Sequence, residues 1–256
     1  KDVPMKISGN TVLITGGGSG IGRALAEAFH KAGNRVIISG RRKAALDEVT
    51  AANPGMASMV MDATDAAGIR AFAEALVNAH PTLNAVINNA GIMRPEDIAA
   101  APDYLETAEE TVATNLLAPI RLTAALLPHF LKQPAATVLT VSSGLAFVPM
   151  VLTPTYSATK SAIHAYSVAL REQLKETPVE VIEIVPPYVQ TTLMGEGQAK
   201  DERAMPLHAF ISEVMDILEN RPDEKEVVVE RCKPLRFAAR NGNFDQVFAM
   251  INHMHP

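Results

Sequence analysis

The 256 residues include one cysteine, Cys232, and no tryptophan. A single thiol rules out an internal disulfide framework and fits a reducing compartment, so a cytoplasmic location is expected. Cys232 sits among Glu230, Arg231 and Lys233, where an incidental thiol is a plainer reading than a nucleophile. Aromatic residues make up only 5% of the chain, so the core must be built from Ala, Val, Ile, Leu and Met. Positive charge is not in excess: the net charge is −5 and no basic stretch stands out, which argues against a nucleic-acid partner. There is no internal repeat, no low-complexity segment and no apolar run long enough to cross a bilayer, so no membrane partner is expected. Residues 1–4 lack the apolar core of a signal peptide, and Met5 is the expected natural start. His253 and His255 near the end have no third ligand beside them. They are read as exposed tail residues, and no metal is expected.

What is present is a hydrophobic content of 48%, enough for a large core, arranged in a rhythm. Short β-branched runs begin at Thr11, Arg35, Ala57, Ala85, Thr137, Val179 and Val227. Between them lie amphipathic Ala-rich stretches: Ile21 to Ala32, Ala44 to Ala52, Ala66 to Ala79, Tyr104 to Leu127, Ser157 to Lys175 and Pro206 to Glu219. Tyr104 to Leu127 is expected as one long helix that tolerates Pro119. Strand–helix alternation with continuously apolar strands specifies an α/β fold: a doubly wound parallel sheet of about seven strands with helices on both faces. No linker interrupts it, so residues 1–256 are expected to form one domain. The polar stretch at about 192–206 departs from the rhythm and is expected to be a mobile loop or lid near the substrate. Residues 231–256 are expected to be a C-terminal tail.

The candidate site residues cluster where strands end. Gly16, Ser19, Gly20, Ile21 and Gly22 form a glycine-rich turn between the first strand and the first helix. Glycines allow close backbone approach to a pyrophosphate, and a helix N-terminus favours the anion. A purely structural turn is the alternative. The second strand ends in Gly40-Arg41-Arg42 with no acid. A free ribose 2′-hydroxyl favours a carboxylate at this place, whereas a 2′-phosphate needs positive charge. NADP(H) is therefore expected over NAD(H), the alternative being a solvated basic turn. Asp62 and Ala63 end the third strand, where Asp62 could simply cap the loop. Asn89-Ala90-Gly91 closes the fourth strand. Tyr156 and Lys160, four residues apart at the start of a helix, share one face. A phenol is too weak a base at neutral pH, and a neighbouring ammonium would lower its pKa enough for general acid–base work. Ser143 ends the fifth strand, where doubly wound folds bind ligands.

Together these residues resemble the short-chain dehydrogenase/reductase family, over about Thr11 to Thr192. The T-G-x-x-x-G-x-G turn, the N-A-G turn, the Ser143-to-Tyr156 interval and the Y-x-x-x-K pair carry the resemblance, and the finer variants are most similar to a bacterial subgroup associated with D-alanylation of lipoteichoic acid. The family implies a Rossmann-like fold and hydride transfer between NADP(H) and a small-molecule carbonyl or alcohol. It implies a catalytic set of Asn115, Ser143, Tyr156 and Lys160, with Asn115 holding a relay water. Asp62 and Ala63 would meet the adenine. Pro186, Val189 and Thr191 would grip the nicotinamide, although Pro187 replaces the family's glycine and removes one N–H. Ser143, Leu145, Tyr156, Pro187 and Tyr188 would line a substrate pocket whose apolar entrance, Leu145 to Leu152, suits a hydrophobic carbonyl compound or is simply core. The family also implies a homodimer or homotetramer. Two other readings are an NADP(H)-binding sensor without turnover and a sugar-nucleotide epimerase, which would carry a different glycine spacing and a larger C-terminal domain.

Overall fold

The apolar runs pair in parallel, and all but Ala57–Val60 at one edge of the sheet are largely buried on both faces. In the computed structural model, which describes residues 5–253, the strands are β1 (Thr11–Thr15), β2 (Arg35–Gly40), β3 (Ala57–Val60), β4 (Ala85–Asn88), β5 (Ala136–Val141), β6 (Val179–Val185) and β7 (Glu226–Val228). They form one seven-stranded sheet in the order β3-β2-β1-β4-β5-β6-β7, parallel throughout. Chain order reverses between β1 and β4, the place where open α/β sheets leave a crevice at their carboxyl ends. Residues 1–4 and 254–256, including Met254 and His255, lie outside the described residues.

Because side chains alternate along a strand, neighbouring residues feed two separate cores. Val12 and Ile14, Val36 and Ile38, Ile182 and Ile184 point to one. Leu13, Ile37, Val138 and Val181 point to the other. The first is covered by α1 (Gly20–Lys31), α2 (Lys43–Ala52) and α8 (Leu207–Asn220), through Leu25, Phe29, Leu46, Val49, Phe210 and Val214. The second is covered by α3 (Ala66–Ala79), α5 (Ala118–Phe130) and the end of α6 (Pro154–Leu174), through Ile69, Phe72, Leu76, Leu122, Leu126, Phe130 and Leu174.

The long helix expected from Tyr104 to Leu127 is interrupted. It comprises α4 (Leu105–Val112), a wider π-helical turn at Ala113–Leu117, and α5. Pro119 lies in the first turn of α5. It has no N–H with which to close an α-helical bond on the carbonyl of Asn115, four residues earlier, and the wider turn absorbs that gap. The run Leu105–Phe130 is long and apolar enough, by length and composition, to cross a bilayer. The expectation that no segment reaches that length is thereby corrected, although Leu122, Leu126 and Phe130 are packed in the core.

Two further expectations change. The stretch after Thr191 is organised: it contains α7 (Glu196–Ala199), and Gln198 donates to the Val189 carbonyl at 2.8 Å while accepting from Met194 N at 3.0 Å. The C-terminal region is not a tail. It forms α9 (Lys233–Arg236) and α10 (Phe244–His253), and Ala238, Val247 and Ile251 bury against Val148. Asn252 then accepts from Val151 N at 2.7 Å and donates to the Pro149 carbonyl at 3.2 Å. Residues that looked like a pocket entrance are in this way clamped from behind.

Candidate active site

A cleft of about 600 Å³ opens at the carboxyl ends of β1, β2, β4, β5 and β6. The glycine-rich turn forms its floor. Gly16 and Gly20 have φ of 69° and 54°, a region that L side chains avoid. A Cβ on Gly22 would run into the Gly16 carbonyl and the Asn89 side-chain amide. The loop therefore lies flush on the neighbouring strand end. Ser19 precedes α1 without capping it, and no acidic residue sits in the first turn, so the N-terminal N–H groups are left to an outside acceptor. By contrast, α3 is capped by Asp65, which accepts from Ala67 N and Gly68 N at 3.1 and 2.9 Å. An anionic pyrophosphate fits the uncapped end of α1.

Asn89-Ala90-Gly91 faces this turn and is held by Thr15, the threonine that opens it. Thr15 Oγ1 accepts from Asn89 N and Ala90 N, both at 3.0 Å, and Asn89 Nδ2 returns to the Thr15 carbonyl at 3.0 Å. Arg41 and Arg42 line the far end of the cleft. Glu110 of α4 accepts from Arg41 at 3.5 Å and also from Arg94, which lines the cleft too. The two guanidiniums hold the Glu110 carboxyl below its ordinary range. Ala63 lines the cleft, but Asp62 does not. Asp62 accepts from Thr64 N at 2.9 Å and Thr64 Oγ1 at 2.8 Å, bonds that lower its pKa, so it caps its own loop.

Tyr156 lies at the inner end of the cleft, only 8% exposed. Burial pushes its phenol up to about 12, against a downward pull from a hydrogen bond with Ser143. Lys160, 4% exposed, lies one turn along α6. Its Nζ is 5.5 Å from the Tyr156 ring centre and donates to the Val141 carbonyl at 2.7 Å. Burial brings the ammonium down to about 8, opposed by the negative charge of Glu183. In this geometry burial outweighs the downward pull expected of the lysine on the phenol. The ammonium is engaged by a backbone oxygen, and desolvation dominates both groups.

Asn115 lies in the π-helical turn. Its side chain accepts from Ile92 N and donates to the Ile92 carbonyl, each at 2.9 Å. The amide thus holds the segment after Asn89-Ala90-Gly91, and does not line the cleft. Pro186, Pro187, Val189 and Thr191 do line it. Gly144 N donates to the Pro186 carbonyl at 2.9 Å, and Gln198 Nε2 reaches Thr191 Oγ1 at 3.2 Å. Leu145 and Tyr188 lie outside the lining. Tyr188 donates to Asp201 at 3.2 Å, and Leu145 packs between α10's cluster and an apolar group of Met93, Met150, Leu152 and Met194 around Tyr156. Leu193 and Gln198, from the stretch expected near the substrate, line the cleft, and so do Met93 and Arg94, which were not anticipated. Met93 and Arg94 follow closely on the Asn89-Ala90-Gly91 turn, and no motif marks them.

The family model for short chain dehydrogenases matches residues 10–202. A Bacillus subtilis protein described as the uncharacterized oxidoreductase DltE is 39% identical over 251 residues, covering 97% of this chain and 98% of its own. A Burkholderia cenocepacia short chain dehydrogenase solved with NADP superposes with a TM-score of 0.80 at 22% identity, covering 96% of this chain and 99% of its own. A Burkholderia phymatum relative solved with NAD superposes at 0.78 and 19% identity, covering 94% and 96%. With a parallel seven-stranded sheet, a glycine-rich turn at its crevice and a family match spanning most of its length, this chain belongs to the short-chain dehydrogenase/reductase family of oxidoreductases.

Proposed function

We propose that the protein moves a hydride between NADP(H) and a carbonyl or alcohol, with Tyr156 as proton donor or acceptor. The observation that carries this reading is the buried Tyr156 hydroxyl, hydrogen-bonded to Ser143 and one helical turn from Lys160 at the inner end of the cleft. A bound nicotinamide dinucleotide supplies the hydride. Gly16 to Gly22 and the start of α1 would hold its pyrophosphate, Arg41 its 2′-phosphate, and Pro186 to Thr191 its nicotinamide end. Gly40 stands where an acid would favour NAD(H), which supports NADP(H).

The protein's own groups handle the proton. With its pKa held near 12, Tyr156 stays protonated at neutral pH and can donate to a carbonyl oxygen as that oxygen gains charge. Ser143 fixes the direction of the hydroxyl and offers a second donor. Lys160, titrating near 8, is mostly an ammonium at pH 7 and stabilises the phenolate left behind. Turnover that needs this ammonium declines as pH rises through about 8. Met93 and Leu193 give the cleft an apolar side near Tyr156, with Met150, Leu152 and Met194 packed behind it, which supports a hydrophobic carbonyl substrate.

The deciding experiment pairs NADPH and NADH titrations with turnover on a panel of aliphatic ketones and aldehydes. Tighter binding of NADPH is expected. Tyr156→Phe is expected to lose turnover by about 10³-fold while NADPH binding is spared. Retained turnover would sink the role of Tyr156, and equal affinity for NADH would sink the cofactor assignment.

A further inference from the structure

The face that α6 turns to the sheet carries a polar line at helical spacing: Lys160, His164, Ser167 and Arg171. Each reaches a strand. Lys160 Nζ donates to the Val141 carbonyl at 2.7 Å, and His164 Nδ1 meets Glu183 Oε2 at 2.8 Å. Ser167 Oγ pairs with Thr140 Oγ1 at 2.7 Å, and Arg171 Nε donates to the Val181 carbonyl at 3.0 Å. Glu183 stands apart among these partners. It is a carboxylate at 0% exposure in the middle of β6, and its Oε1 has no hydrogen-bond partner among the described residues. Burying a carboxylate this way costs several kcal/mol unless charge is nearby, and the proton path above does not use it.

Its neighbours connect it to the site. On β7, Glu226 stands opposite it in register. Arg236 of α9 holds Glu226 through bonds of 2.6 and 3.0 Å and stacks 4.4 Å over Phe147. Phe147 meets the His164 ring edge-on at 4.7 Å, and it closes the short turn that Ser143 opens. Ser161 of α6 ties the same turn by donating to the Ala146 carbonyl at 2.7 Å. Lys160, Cys232 and Arg236 all feel the Glu183 charge. His164, Glu183 and Glu226 bring ligand-type atoms within 4.8 Å of one another, and the positive charge bound there is the Arg236 guanidinium.

We propose that Glu183, paired with His164, is a positioning residue for the reaction: its bond to His164 pins α6 and the Ser143 turn so that Ser143 meets Tyr156, and it sets a buried negative charge beside the β5 end that holds Lys160. The idea rests on the catalytic reading of Lys160. The titratable and charged groups that face Lys160 are Tyr156 and Glu183. Those around Glu183 are His164 and Lys160 from α6, Glu226 from β7, Arg236 from α9, and Cys232. Removing the Glu183 charge leaves Lys160 with desolvation alone, so its proton is lost at lower pH.

The test is Glu183→Gln, which keeps the shape and an acceptor for His164, with Glu183→Asp as the charge-retaining control. Trace acetylation of the cofactor-free protein across pH, read by mass spectrometry at the Lys160 peptide, measures the titration directly. Its midpoint is expected to fall by about one pH unit in Glu183→Gln and to return toward the parent value in Glu183→Asp. The alkaline limb of NADPH-dependent 2-octanone reduction should move the same way. A purely structural role would scale the pH profile without displacing it, and an undisplaced Lys160 titration in folded Glu183→Gln overturns the proposal. Activity lost to a chelator and restored by zinc would overturn it too, giving the cluster to a metal. If Glu183→Gln does not fold, His164→Gln serves: the Lys160 titration should hold while kcat falls several-fold, and an unchanged kcat overturns the pinning. Should Tyr156→Phe keep its turnover, the catalytic reading fails, yet the cofactor-free titration still decides what Glu183 does to Lys160.

Discussion

Two helices on one face of the sheet are held there by different physics. α3 presents Ile69, Phe72, Ala73 and Leu76 to the core and begins with a side-chain cap at Asp65. α6 presents Lys160, His164, Ser167 and Arg171, and each is hydrogen-bonded to β5 or β6. Apolar burial is large but non-directional, so α3 can settle by small shifts without consequence. Hydrogen bonds at 2.7–3.0 Å demand angle and distance, so α6 is held in one register. The helix that supplies Tyr156 and Lys160 is the one fixed by direction.

Substitutions can break that contrast. The largest stability loss is expected on α3: Leu76→Ala, at a fully buried site, should cost about 2–5 kcal/mol in denaturant unfolding and leave turnover per folded molecule unchanged. Ser167→Ala on α6 leaves Thr140 Oγ1 without its partner and should cost about 1–3 kcal/mol, yet lower kcat several-fold. Equal turnover in the two variants would mean that α6 is held no more strictly than α3. The smallest effect is expected away from both helices. Arg41, whose side chain is half exposed and loosely paired with Glu110, should on replacement by Ala weaken NADPH about tenfold, or ~1.4 kcal/mol, and leave NADH unaffected. A parallel loss of both would remove Arg41 from 2′-phosphate recognition.

Much of this was readable along the chain. Every expected strand is present, with β6 at the expected bounds and β7 one residue earlier. Strands buried on both faces are continuously apolar, which is a strong local signal. Weaker signals failed where packing decides. α7 and α9 are four residues long, and they and α10 owe their place to Gln198, Asn252 and the cluster around Val148. The turn at Ala113–Leu117 reflects the combined demands of Pro119 and of Asn115 gripping Ile92. In the site, Tyr156, Lys160, Ser143 and the glycine turn were visible because spacing alone puts them on one helix face or at a strand end. Arg94 and Glu183 gave no such sign, and Thr15 only its place at the head of the turn, since what each does depends on a partner at least sixteen residues away.

By itself, the order of residues determined the parallel seven-stranded sheet, the glycine turn after its first strand and the shared helix face of Tyr156 and Lys160, because hydrophobic period, glycine placement and i,i+4 spacing are local quantities. Only the tertiary structure decided the state of those side chains. Desolvation holds the Tyr156 phenol high and the Lys160 ammonium low, and a buried carboxylate from a neighbouring strand opposes the second effect. Such shifts depend on what surrounds a charge in three dimensions, and the chain brings those groups together only when it folds.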